Sequence, residues 1–266
     1  MFVLVALGAG LIGLAFGSFA NVPIHRWPRG GTVSQPARSA CPSCGGRIRL
    51  LDNVPVVSWL VLRGRCRDCA AAISGRYVLV EILMGLLFSA TLFVYGLDPM
   101  VPAALAFVWG AVVAGVIDLE HRIIPNRLTL RLPLLLVPLL VLPAWVDGSW
   151  GDLLRALIFA FAIPAVMFAL SELFRLLRGK AGIGMGDVKF AISIGLIVGY
   201  LGGWYVVVFA YATIISAMLI VVGLLLARRA NLATRIPFGP YLAIGALIAL
   251  LLGDPAVALL QRVLGL

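Results

Sequence analysis

The sequence predicts an all-α polytopic membrane protein with about eight transmembrane helices and a small zinc-ribbon-like cytoplasmic domain. Hydrophobic residues make up 62% of the chain, the mean hydropathy is +1.10, and only 12% of the residues are charged. The apolar runs are continuous and do not alternate with polar residues, which favours helices over a β-barrel. All four cysteines fall in the one long polar loop. The runs are too numerous for a signal peptide or a single anchor.

Eight apolar runs are candidate membrane spans, and the loops between them are short except for residues 23–77. The runs cover residues 2–22, 78–97, 101–117, 128–146, 153–174, 188–201, 203–227 and 237–253. We therefore expect three parts. These are a first transmembrane helix over 1–22, a cytoplasmic zinc-binding domain over 23–77 and a seven-helix membrane domain over 78–266.

The net charge of +10 is concentrated on one side of this topology. In an eight-span arrangement, all but two of the 21 lysine and arginine residues fall in loop 23–77 or in turns on the same side. The turns on the other side carry aspartates instead: Asp98, Asp147, Asp152 and Asp254. Because short basic loops are retained in the cytoplasm, we expect loop 23–77 to be cytoplasmic and both termini to lie outside. This placement argues against nucleic-acid binding and indicates the lipid bilayer as the partner.

The four cysteines form two pairs with metal-ligand spacing. Cys41 and Cys44 make one Cys-x-x-Cys turn, and Cys66 and Cys69 make the other. Such turns can each offer two thiolates to one tetrahedral Zn²⁺, and a site of four thiolates is closed, which is typical of structural zinc. A reducing cytosol argues against two disulfides. A redox pair lacks the usual strand–helix context, and four unrelated thiols would not explain the paired spacing.

Two aspartates, Asp118 and Asp187, lie at the edges of apolar runs, where membrane proteins normally avoid charge. An ionised side chain costs about 2.5–3.5 kcal/mol at a helix centre on insertion scales, so such residues are usually functional. The run 188–201 that follows Asp187 would be about 21 Å long as a helix, shorter than the ~30 Å hydrocarbon core. We therefore expect both acids to lie at membrane depth, with Gly184 and Gly186 leaving room for an extended substrate backbone.

This pair of carboxylates suggests acid/base chemistry. Two such groups ~4 Å apart repel by about 4 kcal/mol at an effective dielectric constant of about 20, so only one stays ionised near neutral pH. The ionised group can deprotonate a water while the protonated group polarises a peptide carbonyl, as in aspartic proteases. The residues alone leave two alternatives open. One is a proton- or ion-coupled transporter, and the other is a set of local ion pairs, Asp118 with Arg122 and Asp187 with Lys189.

Glu81 and the two histidines, His25 and His121, carry weaker signals. Glu81 follows the basic loop at the start of a span and is either a snorkelling side chain or a polar partner for the loop, which we favour. Each histidine is distant in sequence from the cysteine pairs. We interpret both as interfacial residues rather than metal ligands.

Several stretches, in order along nearly the whole chain, together resemble the type IV prepilin peptidases, the bifunctional leader peptidase/N-methyltransferases. The specificity lies in the ordered set rather than in any one member. The stretches are Gly17–Pro28, Cys41–Cys44, Asp52–Leu60, Leu62–Cys69, Ile73–Glu81, Asp118–Pro125, Gly182–Lys189 and Ile236–Tyr241.

The resemblance implies a GxGD-type intramembrane aspartyl peptidase domain over 78–266, with Asp118 and Asp187 as the catalytic pair. The substrates would be type IV prepilins and type II secretion pseudopilins, cleaved after the glycine of a basic leader at the cytoplasmic face of the bacterial inner membrane. S-adenosylmethionine would then supply a methyl group to the new N-terminal residue. The family ties methylation to the cysteine domain, where Gly64 matches a glycine linked to that activity.

The chain departs from the family pattern at Asn126, where Asp is common, and at Pro23 and Trp27, where aliphatic residues are common. We expect little effect on cleavage, because the matched catalytic residue is the earlier Asp118. The chain has no recognisable methyl-donor loop, so a peptidase without methyltransferase activity stays an alternative beside the transporter. A pilus-assembly scaffold without chemistry is a third class, but it gives no reason for two acids at matching depth.

Overall fold

The computed structural model describes residues 2–35, 39–179, 182–227 and 237–265, and within these ranges the chain is helical apart from its loops. The helices are α1 (Phe2–Arg26), α2 (Val57–Val61), α3 (Arg76–Tyr95), α4 (Val101–His121), α5 (Asn126–Val146), α6 (Trp150–Arg178), α7 (Met185–Leu201), α8 (Gly203–Leu226) and α9 (Gly239–Leu264). Some residues of the predicted charge map and motifs lie outside the described residues: Arg38, Lys180, Arg228, Arg229, Arg235 and Ile236.

Seven of the described helices are long and apolar enough to cross a membrane, judged by length and composition. The all-α membrane fold is therefore confirmed. The predicted number of about eight spans is approximate, because α7 has only 17 residues, which corresponds to about 25 Å. Most of α7 is buried within the protein, so its length is set by packing against other helices rather than by the thickness of the lipid.

The first compact unit extends to Leu97 and contains α1, the cysteine loop, α2 and α3. Helices α1 and α3 pack with their backbones unusually close, because α1 presents glycines to α3. A Cβ atom added at Gly13 would lie 2.7 Å from the carbonyl oxygen of Met84, and one added at Gly17 would lie 2.6 Å from the Cα atom of Glu81. This close packing fixes the start of α3, and with it Glu81, against α1.

The second compact unit begins at Asp98 and contains α4 to α9. Helix α7 lies at its centre and packs against α4, α5, α6, α8 and α9. The rings of Phe107 on α4 and Phe190 on α7 are nearly parallel, with centroids 6.4 Å apart. Glycines again permit close approach, since a Cβ added at Gly199 would lie 3.1 Å from the Cα atom of Ala156 on α6. Polar groups on α4 and α7 are thereby enclosed by protein.

Candidate catalytic pair and metal centre

Asp118 lies in the last turn of α4 and is 5% exposed. One carboxylate oxygen, Oδ2, accepts a hydrogen bond of 2.9 Å from the backbone N–H of Gly239, the first residue of α9. The N-terminal end of a helix carries unpaired N–H groups and a partial positive charge, so it stabilises an anion. A Cβ added at Gly239 would lie 2.8 Å from the same oxygen. Only a glycine at this position lets α9 approach the carboxylate so closely.

Asp187 lies in the first turn of α7 and is 8% exposed. Its carboxylate lies directly beside the backbone of Gly184, the residue that precedes the helix, since a Cβ added there would lie 2.9 Å from Oδ2. This arrangement resembles one half of a capping box, in which an acid at the third helical position satisfies the N–H that precedes the helix. Within the described part of the chain, the other oxygen, Oδ1 of Asp187, is buried and has no hydrogen-bond partner. A buried carboxylate oxygen without a partner requires a functional explanation.

The structure brings the two predicted acids together, and their charges are close enough to interact. Ile124, in the short link from α4 to α5, lies between the starts of α7 and α9. A Cβ added at Gly239 would lie 3.0 Å from its Cδ1 atom, and one added at Gly186 would lie 3.2 Å from its Cβ atom. Both helices therefore begin against the same residue, and each begins beside one of the two carboxylates.

The glycines predicted to receive a substrate have different surroundings. Gly184 lies directly beside the carboxylate of Asp187, since an added Cβ would be 2.9 Å from Oδ2. Gly186 instead packs against the backbone and side chain of Ile124. The small size of Gly186 therefore serves close packing in this structure, and contact of either glycine with a substrate stays a prediction.

The two local ion pairs considered from the sequence do not form among the described residues. Lys189 does not pair with Asp187; its Nζ atom donates a hydrogen bond of 2.9 Å to Oδ1 of Asn126, the first residue of α5. Arg122 adopts a left-handed conformation, with φ of 56°, and its backbone N–H closes the last turn of α4 at the carbonyl of Asp118. The carboxylate of Asp118 thus has a backbone N–H as its partner, and the carboxylate of Asp187 lies beside the backbone of Gly184.

The four cysteine sulfurs form one cluster, as the paired spacing predicted. Their Sγ atoms all lie within 4.8 Å of one another, and the four thiols are not joined in disulfides. Ligands at about 2.3 Å from a tetrahedral zinc have their sulfurs about 3.8 Å apart, and the Sγ atoms of Cys41 and Cys69 are 3.8 Å apart. The donor set and spacing therefore fit zinc.

The two Cys-x-x-Cys turns have the same backbone design. In the first, the N–H of Gly45 donates to the carbonyl of Cys41, and in the second the N–H of Ala70 donates to the carbonyl of Cys66. Gly45 and Ala70 both have positive φ, at 71° and 55°. Backbone N–H groups of Cys44 and Ser43 point at the sulfur of Cys41 and lower its pKa to about 6. The first turn thus favours a thiolate at Cys41, whereas burial and the neighbouring cysteines raise the pKa of Cys69 to about 12.

Gly64 lies between α2 and the second cysteine turn, with φ of 67°. It is not a member of the cysteine cluster. A Cβ added there would lie 2.9 Å from the indole ring of Trp59, so the ring packs directly against the backbone of Gly64. Its assignment to methylation stays a prediction.

Glu81 is a partner for the loop, which confirms the interpretation favoured from the sequence. Its Oε2 atom accepts a hydrogen bond of 2.7 Å from the backbone N–H of Val56. Val56 has φ of 62° and ψ of −51°, which is rare for a β-branched residue. The histidines are not members of the described metal-ligand cluster, which consists of the four cysteines.

Sequence reasoning missed the role of Gly239, and it noted Asn126 only as a departure. Gly239 supplies the N–H that holds Asp118, and Asn126 holds Lys189. One available signal was the run Pro-Phe-Gly-Pro at 237–240, which opens an apolar span with a glycine and a proline in the first helical turn. The hydrogen bond itself could not be predicted, because Gly239 and Asp118 are 121 positions apart in the sequence and no local pattern connects them.

The fold and sites together define a multi-pass membrane protein with an enclosed carboxylate pair and a four-cysteine cluster. Residues 11–95 match the Bacterial Peptidase A24 N-terminal domain, and residues 105–226 match the Type IV leader peptidase family. The chain belongs to the type IV leader peptidase family. The resemblance inferred from the ordered motifs is therefore confirmed.

Curated relatives match over almost the whole length of the chain. The prepilin leader peptidase/N-methyltransferase of Stutzerimonas stutzeri is 36% identical over 97% of this chain and 93% of its own length. The protein of the same name from Aeromonas hydrophila is 39% identical over 92% of this chain and 89% of its own. A third, from Dichelobacter nodosus, is 34% identical over 92% of this chain and 90% of its own. No solved protein structure gives a significant match.

Proposed function

We propose that this protein cleaves the leader of type IV prepilins and pseudopilins after glycine and methylates the new N-terminal residue. The observation that carries the peptidase activity is the enclosed pair of Asp118 and Asp187: Asp118 accepts a hydrogen bond from the first N–H of α9, and Asp187 lies in the first turn of α7. The names of the relatives and the family membership support the same activity. Cleavage belongs to an intramembrane aspartyl peptidase of the GxGD type.

In this mechanism one carboxylate is ionised and takes a proton from a water, and the other is protonated and donates to the carbonyl oxygen of the scissile peptide. The hydroxide equivalent attacks the carbonyl carbon, and the proton gained by the first carboxylate passes to the leaving amine. The unpartnered Oδ1 of Asp187 is suited to bind the water or the carbonyl. Gly184 leaves space beside this carboxylate for an extended peptide.

The cysteine cluster would hold a structural zinc through Cys41, Cys44, Cys66 and Cys69, because four thiolates leave no open position for substrate. Bound S-adenosylmethionine would supply an electrophilic methyl group for the free N-terminal amine. The cysteine domain, including Gly64, would carry this second activity.

The charge distribution supports a bacterial inner-membrane location with the cysteine loop and active site on the cytoplasmic side and both termini outside. In this orientation the loop that carries the cysteines faces the compartment from which a basic leader arrives. The proposed division is a first helix over 1–22, a zinc domain over 23–77 and a peptidase domain over 78–266.

The test is mass spectrometry of a pilin substrate co-expressed with variants, which reads leader loss and methyl gain separately. Asp118→Asn and Asp187→Asn should each abolish leader removal, because either change leaves one group unable to exchange a proton. Asp147→Asn, at an exposed acid after α5, is the matched control and should process normally. Leader removal by either dyad variant would rule out the proposed mechanism.

A further inference from the structure

The first compact unit contains a cavity of about 680 Å³ that the proposed peptidase chemistry does not use. It is lined by the C-terminal part of α1, the start of α3, and the loop that carries α2 and the cysteines. Cofactor and small-molecule sites in proteins are typically about 300–1,000 Å³. The cavity therefore has the size of a binding site for one nucleoside-containing ligand.

Two buried acceptors line this cavity. Asn21, 5% exposed, donates from Nδ2 to the carbonyls of Gly17 and Tyr77 at 3.2 Å and 3.1 Å. In the described part of the chain its Oδ1 atom is buried and has no hydrogen-bond partner. Glu81, 7% exposed, has a carboxylate that accepts from Val56. A buried carboxylate in the lining of a cavity favours a ligand that brings a cationic N–H group.

An aromatic ring provides the wall for a flat ligand group. Trp59 lines the cavity, and its Nε1 atom donates a hydrogen bond of 3.1 Å to the carbonyl of Ile73, which fixes the plane of the indole. Behind the ring, Gly64 leaves no space for even a methyl group. A fixed indole is a suitable surface for stacking a purine.

A strained residue and a basic residue complete the lining. Val56 lines the cavity in its rare positive-φ conformation, held by the hydrogen bond to Glu81, and strain of this kind concentrates at ligand sites. Arg29 is exposed at the cavity, and its Nη1 atom donates to the carbonyl of His25. A guanidinium has five N–H donors, so Arg29 has capacity for a carboxylate.

We propose that this cavity is the binding site for S-adenosylmethionine, an inference that rests on the methyltransferase half of the proposed function. Glu81 receives the ammonium group of the ligand, Arg29 receives its carboxylate, and the indole of Trp59 stacks on the adenine. Gly64 is a positioning residue, because any larger side chain would displace Trp59 toward the cavity. The predicted link between Gly64 and methylation would then be explained by the packing of Gly64 against Trp59.

The experiment measures binding directly, using the purified full chain in detergent and S-adenosylhomocysteine as the probe in isothermal titration calorimetry. Glu81→Gln keeps an acceptor for Val56 but removes the charge, and Gly64→Ala displaces Trp59. Each should weaken binding by about tenfold or more while zinc content and leader removal stay at the wild-type level. The matched controls are Glu172→Gln, at an acid paired with Arg175, and Gly75→Ala, where an added Cβ meets no atom within 4 Å. Both should bind normally.

A second measurement uses only the wild-type protein, so its result does not depend on whether a variant folds. Ultraviolet crosslinking of tritiated S-adenosylmethionine to the wild-type protein should label peptides that contain cavity-lining residues, within 18–35, 39–48 or 52–81. Labelling confined to other peptides, or unchanged affinity in both Glu81→Gln and Gly64→Ala, would overturn the cavity assignment while leaving methylation intact. A wild-type protein that removes leaders but neither binds the probe nor methylates would overturn the methyltransferase function itself.

Discussion

The cysteine loop and the carboxylate pair hold chemically reactive groups in place by opposite means. In the loop, four thiols come from two short turns, and the fold around them has few helical residues. In the pair, Asp118 and Asp187 are held by the first turns of two long helices and by glycines that pack without side chains. In our proposal the loop depends on a bound metal, whereas the pair depends on how closely helices approach. The two sites should therefore fail under different perturbations.

Metal removal should have the largest effect, and it should be confined to the loop. Structural zinc contributes on the order of 10 kcal/mol to the folding of small domains, so its loss should unfold the loop. We expect the purified protein to contain a single zinc ion per chain, and removal by a strong chelator should expose residues 39–75 to limited proteolysis. The helices from α4 to α9 should stay protected. An intact loop in metal-free protein would contradict this expectation.

A substitution at the helix contacts should have the complementary effect. In Gly239→Ala the added methyl group would lie 2.8 Å from Oδ2 of Asp118 and would push α9 or the carboxylate away. Misplacement of a catalytic group by about 1 Å can cost about 100-fold in rate, and we expect a loss of that order in leader removal. Zinc content should not change.

The matched control for this substitution is Gly223→Ala in α8. An added Cβ at Gly223 meets no atom within 4 Å, so normal cleavage is expected. Comparable activity of the two alanine variants, measured as initial rates on a purified prepilin, would show that the contact of Gly239 with Asp118 is unimportant.

A smaller effect is expected at the hydrogen bond between Asn126 and Lys189. Asn126→Asp would replace a neutral acceptor by an anion and convert the contact into an ion pair. Exposed ion pairs contribute at most about 1 kcal/mol, so the cleavage rate should change by less than about fivefold. A tenfold change, measured in the same initial-rate assay, would show that Lys189 is coupled electrostatically to the carboxylate pair.

The smallest effect is expected at the ion pair between Asp52 and Arg67 of the loop, in which the Arg67 side chain is exposed and the Asp52 side chain is 10% exposed. Asp52 accepts hydrogen bonds from the Arg67 guanidinium, which lowers the pKa of Asp52 below its ordinary value of 3.8. The stabilisation is therefore present at neutral pH and is lost as the pH falls below 3.8. Asp52→Asn should slightly accelerate zinc release to a chelator at neutral pH, and high salt should reduce that difference. A difference that is unaffected by salt would exclude an electrostatic cause.

The two sites also differ in how much of them the sequence predicts. Two Cys-x-x-Cys turns carry their ligand geometry in local spacing, so the composition of the cysteine cluster was predictable. The identity of Asp118 and Asp187 was predictable from their unusual depth, but their partners were not. Gly239 is remote from Asp118 in sequence, and Lys189 pairs with Asn126 rather than with its neighbour Asp187. Contacts between distant helices depend on packing that no short pattern encodes.

The number of membrane spans was also difficult to predict from the sequence, because it depends on how the helices pack. The run 188–201 was predicted to be a short span, and the structure explains its length by enclosure, since α7 is surrounded by five other helices of its unit. Hydropathy measures transfer into an apolar phase and does not distinguish lipid from protein as that phase. Gly186 was interpreted from the sequence as space for a substrate, but in the structure it packs on Ile124. The sequence does not show whether the space beside a glycine is filled by a substrate or by another part of the protein.

The unpartnered Oδ1 atom of Asp187 has a consequence for how this protein can change over evolutionary time. A buried polar atom without a hydrogen-bond partner costs about 1–3 kcal/mol. Selection for a more stable fold would therefore favour an apolar residue at position 187, whereas the proposed role of Asp187 in cleavage would oppose that change. Proteins commonly keep such destabilising groups at active sites. Under the proposed mechanism, an acid persists at position 187 in a lineage only as long as the reaction is needed.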